Sequence, residues 1–133
     1  MTTKLTSRAF IVTALVLVLA VASTFVAPRT ASATTCRQQV FRQSSTYKDC
    51  VVYMQRMLNA VRSPSVVMPT LATDGYFGPR TRNNVITFQS TERIGVDGVV
   101  GPETWGRLCH PAYFYIPDYT YADYINAAWR AGC

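Results

Sequence analysis

An eight-residue pattern that occurs twice decides the fold of this sequence. It reads Asp74-Gly75-Tyr76-Phe77-Gly78-Pro79-Arg80-Thr81, and 23 positions later Asp97-Gly98-Val99-Val100-Gly101-Pro102-Glu103-Thr104. The Asp-Gly pair predicts a tight turn, because Gly adopts positive φ without a Cβ clash. Pro then favours the first turn of a helix, where its missing N–H costs nothing. The sequence therefore uses one turn-to-helix unit twice. Its expected structural residues are Asp74, Gly75, Gly78, Pro79, Thr81, Asp97, Gly98, Gly101, Pro102 and Thr104.

Apolar residues at helical spacing surround both turns. An amphipathic helix is predicted to start near Lys48, with its N-terminal signal at Ser44, Ser45 or Thr46. Its apolar face comprises Val51, Met54, Met57, Leu58 and Val61. A second helix follows Pro79 and a shorter third helix follows Pro102. The expected core residues of these parts are Phe77, Val85, Phe88, Trp105 and Leu108. The predicted fold is a small all-α three-helix bundle with two related turns and an aromatic C-terminal extension.

The N-terminal region has the composition of an export signal. Lys4 and Arg8 precede an apolar run over 9–22, and Ala31-Ser32-Ala33 resembles a signal peptidase site. Residues 1–33 are therefore interpreted as a signal peptide, with an uncleaved N-terminal anchor as the alternative. The remaining sequence divides into an extension over 34–48, a domain over 49–110 and an extension over 111–133. A secreted protein, extracellular or associated with the cell wall, is expected.

Charge and cysteine content narrow the class of protein. The whole chain has 13 basic and 7 acidic residues, and after residue 33 there remain 10 basic and 7 acidic residues, a net charge of +3. The basic residues are dispersed, which argues against nucleic-acid binding. Export and an even cysteine count favour two disulfides. The four cysteines are Cys36, Cys50, Cys109 and Cys133.

Residue types that serve catalysis or bind metals are sparse in the exported part. His110 is its one histidine, and Asp74 and Asp97 each stand alone in their loops, unlike the ligand series of a calcium site. Zinc would need more ligands at workable spacing. Glu92 and Glu103 are interpreted as surface charges and His110 as a capping or solvated residue. We expect no catalytic residue, no cofactor and no metal.

Taken in order, these motifs resemble the type 1 peptidoglycan-binding domain of bacteria. The resemblance rests on Val51-x-x-Met54-Gln55-x-x-Leu58-Asn59, Asp74-Gly75-x-Phe77-Gly78-Pro79-x-Thr81, Val85-x-x-Phe88-Gln89 and Val96-Asp97-Gly98-Val99-Val100-Gly101-Pro102-x-Thr104-Trp105-x-x-Leu108. It covers about 50–109 and implies a three-helix bundle that attaches non-covalently to peptidoglycan. Asn84 and Thr73 depart from the family pattern, and the loop over 62–72 looks long.

Helix placement leads to one preferred disulfide pairing among the three that are possible. Cys50 would start the first helix and Cys109 would end the third, and a bundle can bring these ends together. The expected bonds are therefore Cys50–Cys109 and Cys36–Cys133.

A peptidoglycan ligand presents hydroxyl, amide and carboxylate groups, which call for an aromatic surface with Asn and Arg donors. The predicted ligand-binding residues follow the first turn. They are Tyr76, Arg80, Arg82, Asn83 and Asn84. The alternative is that Arg80, Arg82 and Asn83 form only the solvated face of a helix.

The C-terminal extension is rich in aromatic residues with helical spacing. The predicted stripe comprises Tyr121, Tyr124, Ile125, Ala128 and Trp129. We expect it to cover the bundle, and an aromatic platform for carbohydrate is the alternative. The predicted function is a secreted, non-catalytic and monomeric module that binds bacterial peptidoglycan. The alternative function is a secreted protein-interaction or inhibitory module that uses the same scaffold to bind a protein partner.

Overall fold

A computed structural model describes residues 34–133, and the predicted signal peptide lies outside the described residues. A short 3-10 helix, Cys36–Gln38, precedes four α-helices. These are α1 (Asp49–Ala60), α2 (Pro79–Glu92), α3 (Pro102–Cys109) and α4 (Asp118–Ala131). Three isolated β-bridges occur, but residues 34–133 contain no β-strand. The all-α prediction is confirmed, and no helix in this range has the length and apolarity needed to cross a membrane.

The core forms where the predicted apolar faces of the first three helices meet. Each residue assigned to the face of the first helix is at most 1% exposed, as are the five predicted core residues. Burial of side chains of this size contributes about 1.5–3 kcal/mol each before the entropy cost of ordering them. The helical spacing read from the sequence therefore identified the core correctly.

The start of α1 differs from the prediction. Lys48 is the N-cap residue and makes no side-chain capping bond. Ser44 Oγ instead accepts a hydrogen bond from the Thr46 backbone N–H, within the extended N-terminal segment. The prediction that a residue among 44–46 caps α1 is wrong, because this segment pairs with the first turn before the helix begins.

Helix α4 covers the bundle, but with a different face from the predicted one. It packs mainly against α1 and buries Tyr124, Ala127, Ala128 and Ala131. Tyr121, Ile125 and Trp129, which belong to the predicted stripe, are exposed, and Trp129 is 78% exposed. Small alanines let α4 approach α1 closely, so the larger aromatic side chains remain outside.

The Tyr124 hydroxyl fixes α4 against α3. Its single hydrogen is shared between the carbonyl oxygens of Leu108 and Cys109, at 2.6 and 2.9 Å. Burial, with a smaller contribution from Tyr121, raises the pKa of Tyr124 to about 12. The neutral phenol is therefore the form that the fold favours.

The predicted disulfide pairing is wrong, although two disulfides are present. Cys36 bonds Cys50 and Cys109 bonds Cys133, with Cα atoms 5.4 Å apart in each pair. The N-terminal segment lies across both turns, and Cys36 at its start lies beside Cys50 at the start of α1. Helix α4 runs along α1 and ends beside the last residue of α3.

The two ends of the described region do lie together, as the favoured pairing assumed. A Cβ atom on Gly132 would come within 2.9 Å of Thr35 Cβ. The proximity of the two ends was therefore inferred correctly. However, Cys36 bonds to Cys50 of α1 and Cys133 bonds to Cys109 of α3, so the two terminal cysteines do not bond to each other.

Glu92 is a second correction, because it was assigned to the surface and is fully buried. Its carboxylate accepts hydrogen bonds from the backbone N–H groups of Ala112 and Tyr113, at distances of 2.9 to 3.1 Å. The adjacent Arg93 guanidinium lies 4.7 Å from the centre of the Tyr113 ring. The end of α2 therefore holds the segment that leads to α4.

Candidate functional site

The first turn is built around the side-chain amide of Gln55, which α1 places in the interior. The two N–H groups of its Nε2 are shared among three acceptors, Asp74 Oδ1 at 2.9 Å, the Tyr76 carbonyl at 3.0 Å and Thr81 Oγ1 at 3.2 Å. Its Oε1 accepts the Gly75 N–H at 3.0 Å. One buried amide therefore satisfies the polar groups of a whole turn.

The second turn repeats this arrangement around Gln89 of α2. The two N–H groups of Gln89 Nε2 are shared among Asp97 Oδ1 and the Val99 carbonyl, both at 2.9 Å, and Thr104 Oγ1 at 3.1 Å. Its Oε1 accepts the Gly98 N–H at 2.9 Å. The sequence repeat is therefore also a repeat of hydrogen-bonded structure.

Both aspartates stabilise their turns in the ionised form. Hydrogen bonds from Gln55 and then from the Tyr76 backbone lower the pKa of Asp74. The Val99 backbone N–H, then Gln89, lower the pKa of Asp97. Because these carboxylates already accept internal hydrogen bonds, their charge serves the turns.

Gly75 allows an aromatic side chain to close the first turn. Its φ is +77°, and a Cβ atom there would lie 2.4 Å from the ring of Tyr47. Tyr47 packs edge-to-face on Tyr76, with ring centroids 5.9 Å apart. The hydroxyl of Tyr47 donates to Asp49 Oδ1 at 2.7 Å. Tyr76 is thereby held in place while 46% of its surface stays exposed.

The N-terminal segment 34–48 crosses both turns at equivalent positions. Phe41 exchanges two backbone hydrogen bonds with Val100, at 2.9 and 2.8 Å, and the Ser44 N–H donates to the Phe77 carbonyl at 2.9 Å. Phe77 and Val100 occupy the same place in the two repeats. This segment therefore ties the turns together and forms a wall beside the first one.

Two surface grooves flank the first turn. The Ser45 groove has a volume of about 470 Å³ and lies between residues 43–45 and the turn residues 76–79. The Arg80 groove has a volume of about 210 Å³ and extends from Leu71 and Ala72 past Asp74 to Arg80. Tyr76, Gly78 and Pro79 line both grooves, so this part of the turn is a ridge between them.

Comparison with known proteins places the duplicated turn in a family. Residues 48–108 match the family model described as "Putative peptidoglycan binding domain". This range contains α1, α2, α3 and both turns. Residues 48–108 belong to the peptidoglycan-binding domain family.

Two curated relatives are similar to part of this chain. The zinc D-Ala-D-Ala carboxypeptidase of Streptomyces albus G is 37% identical over 71 residues, covering 47% of this chain and 26% of that enzyme. The uncharacterized protein in the bpoA1 3'region of Kitasatospora aureofaciens is 51% identical over 35 residues, covering 26% of this chain and 30% of that protein. The chain thus spans less than a third of the length of either relative. No solved structure gives a significant match.

The peptidoglycan-binding domain brings only part of the predicted ligand set together. Tyr76 and Arg80 both line the Arg80 groove, and Tyr76 also lines the Ser45 groove. Arg80 is exposed, and its guanidinium lies 3.5 Å from the Thr70 carbonyl. These two side chains are therefore the members of the set that a ligand in the grooves would meet.

The other three predicted residues have different surroundings. The Arg82 side chain covers Gly98, and its guanidinium lies 3.4 Å from the Asp97 carbonyl at the second turn. Asn83 is exposed but lines neither groove.

Asn84 is the one member of the predicted ligand set whose side chain is buried. It is 3% exposed, and its Nδ2 donates to the Pro69 carbonyl at 2.7 Å. The prediction that Asn84 contacts ligand is therefore corrected. Its amide instead contacts the loop over 62–72.

Gln55 and Gln89 are structural residues of the turns that were not predicted from the sequence. A signal was present, because Val51-x-x-Met54-Gln55 and Val85-x-x-Phe88-Gln89 share an order that precedes each turn. The spacing from Gln to Asp differs, 19 residues in one case and 8 in the other, which hid the repeat.

The described residues also bear on metal chemistry. Residues 34–133 contain no group of three or more His, Cys, Asp and Glu side chains arranged to hold a metal ion.

Proposed function

We propose that this chain is a secreted, non-catalytic module that binds bacterial peptidoglycan along the first turn of its peptidoglycan-binding domain. The observation that carries the proposal is the family match over 48–108 together with an open ridge at Tyr76–Pro79 that has a groove on each side. At the equivalent position of the second turn, Val99 replaces the exposed aromatic ring of Tyr76. The first turn is therefore the better candidate for contact with a ligand.

The chemistry of the two grooves fits a polymer with alternating polar and apolar parts. The ring of Tyr76 offers an aromatic face to a sugar ring or to a methyl group, and Ser44 and Ser45 offer hydroxyl groups. Arg80 offers a charged donor to a carboxylate or an amide oxygen. The sugar and stem peptide of peptidoglycan supply all of these groups.

The proposed absence of catalysis is supported by three acidic side chains that have structural roles. Asp74 and Asp97 accept hydrogen bonds within the turns, and Glu92 accepts two backbone N–H groups. The name of the Streptomyces relative states that it acts on D-Ala-D-Ala, but the match covers only 26% of that enzyme. We propose that the shared stretch provides attachment to the wall rather than the carboxypeptidase reaction.

Secretion is part of the proposal and rests on two features. Residues 1–33 have the composition of a signal peptide. All four cysteines form disulfides, which persist in oxidising compartments outside the cytoplasm.

Co-sedimentation of the purified, oxidised protein with insoluble peptidoglycan sacculi tests the proposal. We expect saturable binding with a Kd of about 10⁻⁵–10⁻³ M, the range of a small polar groove. Arg80→Ala and Tyr76→Ala each weaken it about tenfold, because each removes a side chain that lines a groove. Asn83→Ala is the matched control, because Asn83 is exposed on the same helix but outside the grooves. A wild-type protein that stays in the supernatant would refute the proposal.

The alternative of a protein-interaction module is favoured by one observation. Tyr121, Ile125 and Trp129 follow one another at i, i+4 and i+8 along an exposed side of α4. Aromatic side chains of this kind are common at protein interfaces. A cell-binding assay distinguishes the two functions. Binding that survives enzymatic digestion of the glycan but is lost after protease treatment of the cells would favour a protein partner.

A further inference from the structure

A polar pocket lies between α1 and α4, away from the ridge of the first turn. Its volume is about 290 Å³. Its walls are Arg56, Asn59 and Ala60 of α1, Thr73 of the loop before the first turn, and Thr120 and Asp123 of α4. Because α4 follows the matched range 48–108, the family segment cannot form this pocket by itself.

Hydrogen bonds fix the walls of this Arg56–Asp123 pocket. The Asn59 side chain donates to the Leu71 carbonyl at 2.9 Å and accepts the Leu71 N–H at 2.8 Å. Thr120 Oγ1 donates to the Ala60 carbonyl at 2.9 Å, which holds the start of α4 on the end of α1. A ligand would therefore meet a pocket whose shape is already set, with little ordering cost.

Two exposed charges of opposite sign line the pocket, Arg56 on α1 and Asp123 on α4. A ligand that carries only a carboxylate would be attracted by Arg56 and repelled by Asp123. A ligand that carries only an ammonium group would experience the reverse. A group with both charges satisfies both side chains, so the pocket favours a zwitterion.

The residues that precede the two Asp-Gly pairs differ in polarity, and this difference supports a specific role for the pocket. Thr73 precedes the first pair and lines the pocket, where its hydroxyl adds a donor and an acceptor. Val96 precedes the second pair and is an exposed apolar residue without a hydroxyl group. The polar substitution between the two repeats therefore coincides with the polar pocket.

We infer that the Arg56–Asp123 pocket binds a short peptide segment that carries a free carboxylate and a free ammonium group. Arg56 takes the carboxylate, Asp123 takes the ammonium group, and Thr73 and Thr120 contact the peptide between them. The volume lies just below the usual range for ligand pockets, which suits a short peptide. The inference rests on the proposed function, because it assigns the stem peptide of peptidoglycan to this pocket.

An NMR titration of the oxidised protein with two matched peptides tests the inference. L-Lys-D-Ala-D-Ala has free ammonium groups and a carboxylate, and its Nα,Nε-diacetyl form keeps only the carboxylate. We expect saturable shifts of the Thr73 and Thr120 amide signals with the free peptide and about tenfold weaker binding of the diacetyl form.

Variants connect the shifts to the two charges. Arg56→Gln and Asp123→Asn are each expected to weaken the free peptide about tenfold, and both sites are exposed, so the fold should be retained. Arg130→Gln is the control, because it removes an exposed arginine of α4 outside the pocket. Equal binding of both peptides, or the same affinity in all three variants, overturns the inference.

Co-sedimentation of the same variants with sacculi separates this inference from the proposed function. Sacculus binding that Arg80→Ala weakens, without peptide shifts at Thr73 and Thr120, overturns the pocket and supports the proposed function. Absence of sacculus binding by the wild-type protein overturns the proposed function. Peptide shifts that persist in that case support the pocket as a peptide site and remove its assignment to peptidoglycan.

Discussion

The Nε2 atom of Gln55 donates a hydrogen bond to Oδ1 of Asp74 at 2.9 Å, and this contact joins the first helix to the turn beside the candidate site. Gln89 and Asp97 make the same contact, at the same distance, in the second repeat. Both amides are 1% exposed, so their polar atoms have no access to water as a replacement partner.

Replacing either buried glutamine by leucine is therefore expected to destabilise the protein strongly. Gln55→Leu and Gln89→Leu each leave several buried donors and acceptors unpaired, at a cost of about 2–4 kcal/mol in the free energy of unfolding. Urea denaturation followed by circular dichroism measures it. Gln43→Leu, the same change at an exposed position, should stay within about 0.5 kcal/mol of the wild type. Equal effects at all three positions would contradict the role of the amides.

Two glycines of the first turn are expected to respond differently to alanine. Gly75→Ala forces a side chain onto a backbone with φ +77° and into the ring of Tyr47, so we expect a loss of at least about 1–2 kcal/mol. Gly78→Ala meets no atom within 4 Å and has φ −79°, so the change should be small. The same urea titration compares them. Similar losses in both variants would show that positive φ and Tyr47 are not the cause.

Acid is expected to weaken both turns. The pKa values of Asp74 and Asp97 are lowered in the fold, so their ionised forms stabilise it above the unfolded pKa of about 4. That contribution is lost as the pH falls through the lower folded values. The double variant Asp74→Asn/Asp97→Asn keeps the acceptor oxygens and should show a shallower fall of unfolding free energy below pH 4. Asp123→Asn removes one exposed carboxylate outside the turns. If it flattens the curve as much, net charge rather than the turns explains the effect.

Alkaline pH is expected to release α4 through Tyr124. The pKa of Tyr124 is raised to about 12 from 10.0, so the folded state holds the phenol proton more tightly than the unfolded state does. Stability is therefore present below pH 10 and decreases between about pH 10 and 12, by roughly 2–3 kcal/mol in total. Tyr124→Phe should flatten this fall and cost about 1–2 kcal/mol at pH 7, because two hydrogen-bonded carbonyls lose their donor.

Some alkaline slope is expected to remain in Tyr124→Phe. The pKa of Tyr47 is also raised, first by its hydrogen bond to Asp49. Tyr47→Phe in the same background isolates that contribution. A Tyr124→Phe protein with the wild-type slope between pH 10 and 12 would rule out Tyr124 as its main source.

The disulfide pairing can be read directly from tryptic peptides, because each cysteine falls in a different peptide. Cleavage after Arg37, Lys48, Arg107 and Arg130 separates them. Mass spectrometry without reduction should link the peptide that ends at Arg37 to 49–56, and 108–130 to 131–133. A link between 49–56 and 108–130 would instead restore the pairing expected from helix placement.

Much of the architecture could be predicted from local sequence. The Asp-Gly turns depend on backbone preferences of Gly75 and Gly98, and the apolar face of α1 depends on helical periodicity, so both are visible without long-range information. The family resemblance at 48–108 rests on the same local features.

The remaining features depend on which surfaces meet in three dimensions. The sequence alone places Asn84 on the surface, but in the structure its amide donates to the Pro69 carbonyl of the loop. The sequence also places Glu92 on the surface, but in the structure its carboxylate accepts hydrogen bonds from the backbone of 112–113. Helix α4 carries apolar residues on two of its sides. Close approach to α1 selected the one with three alanines and left Trp129 outside.

The sequence by itself determined the turns, the helices and the core of this protein, because these follow from φ preferences and from apolar spacing along one chain. Only the tertiary structure decided the partners of the four cysteines, the burial of Asn84 and Glu92, and the meeting of Arg56 with Asp123 in one pocket. The physical reason is that each of these relations joins segments distant in sequence. Their contacts depend on how α4 and the N-terminal segment pack on the bundle.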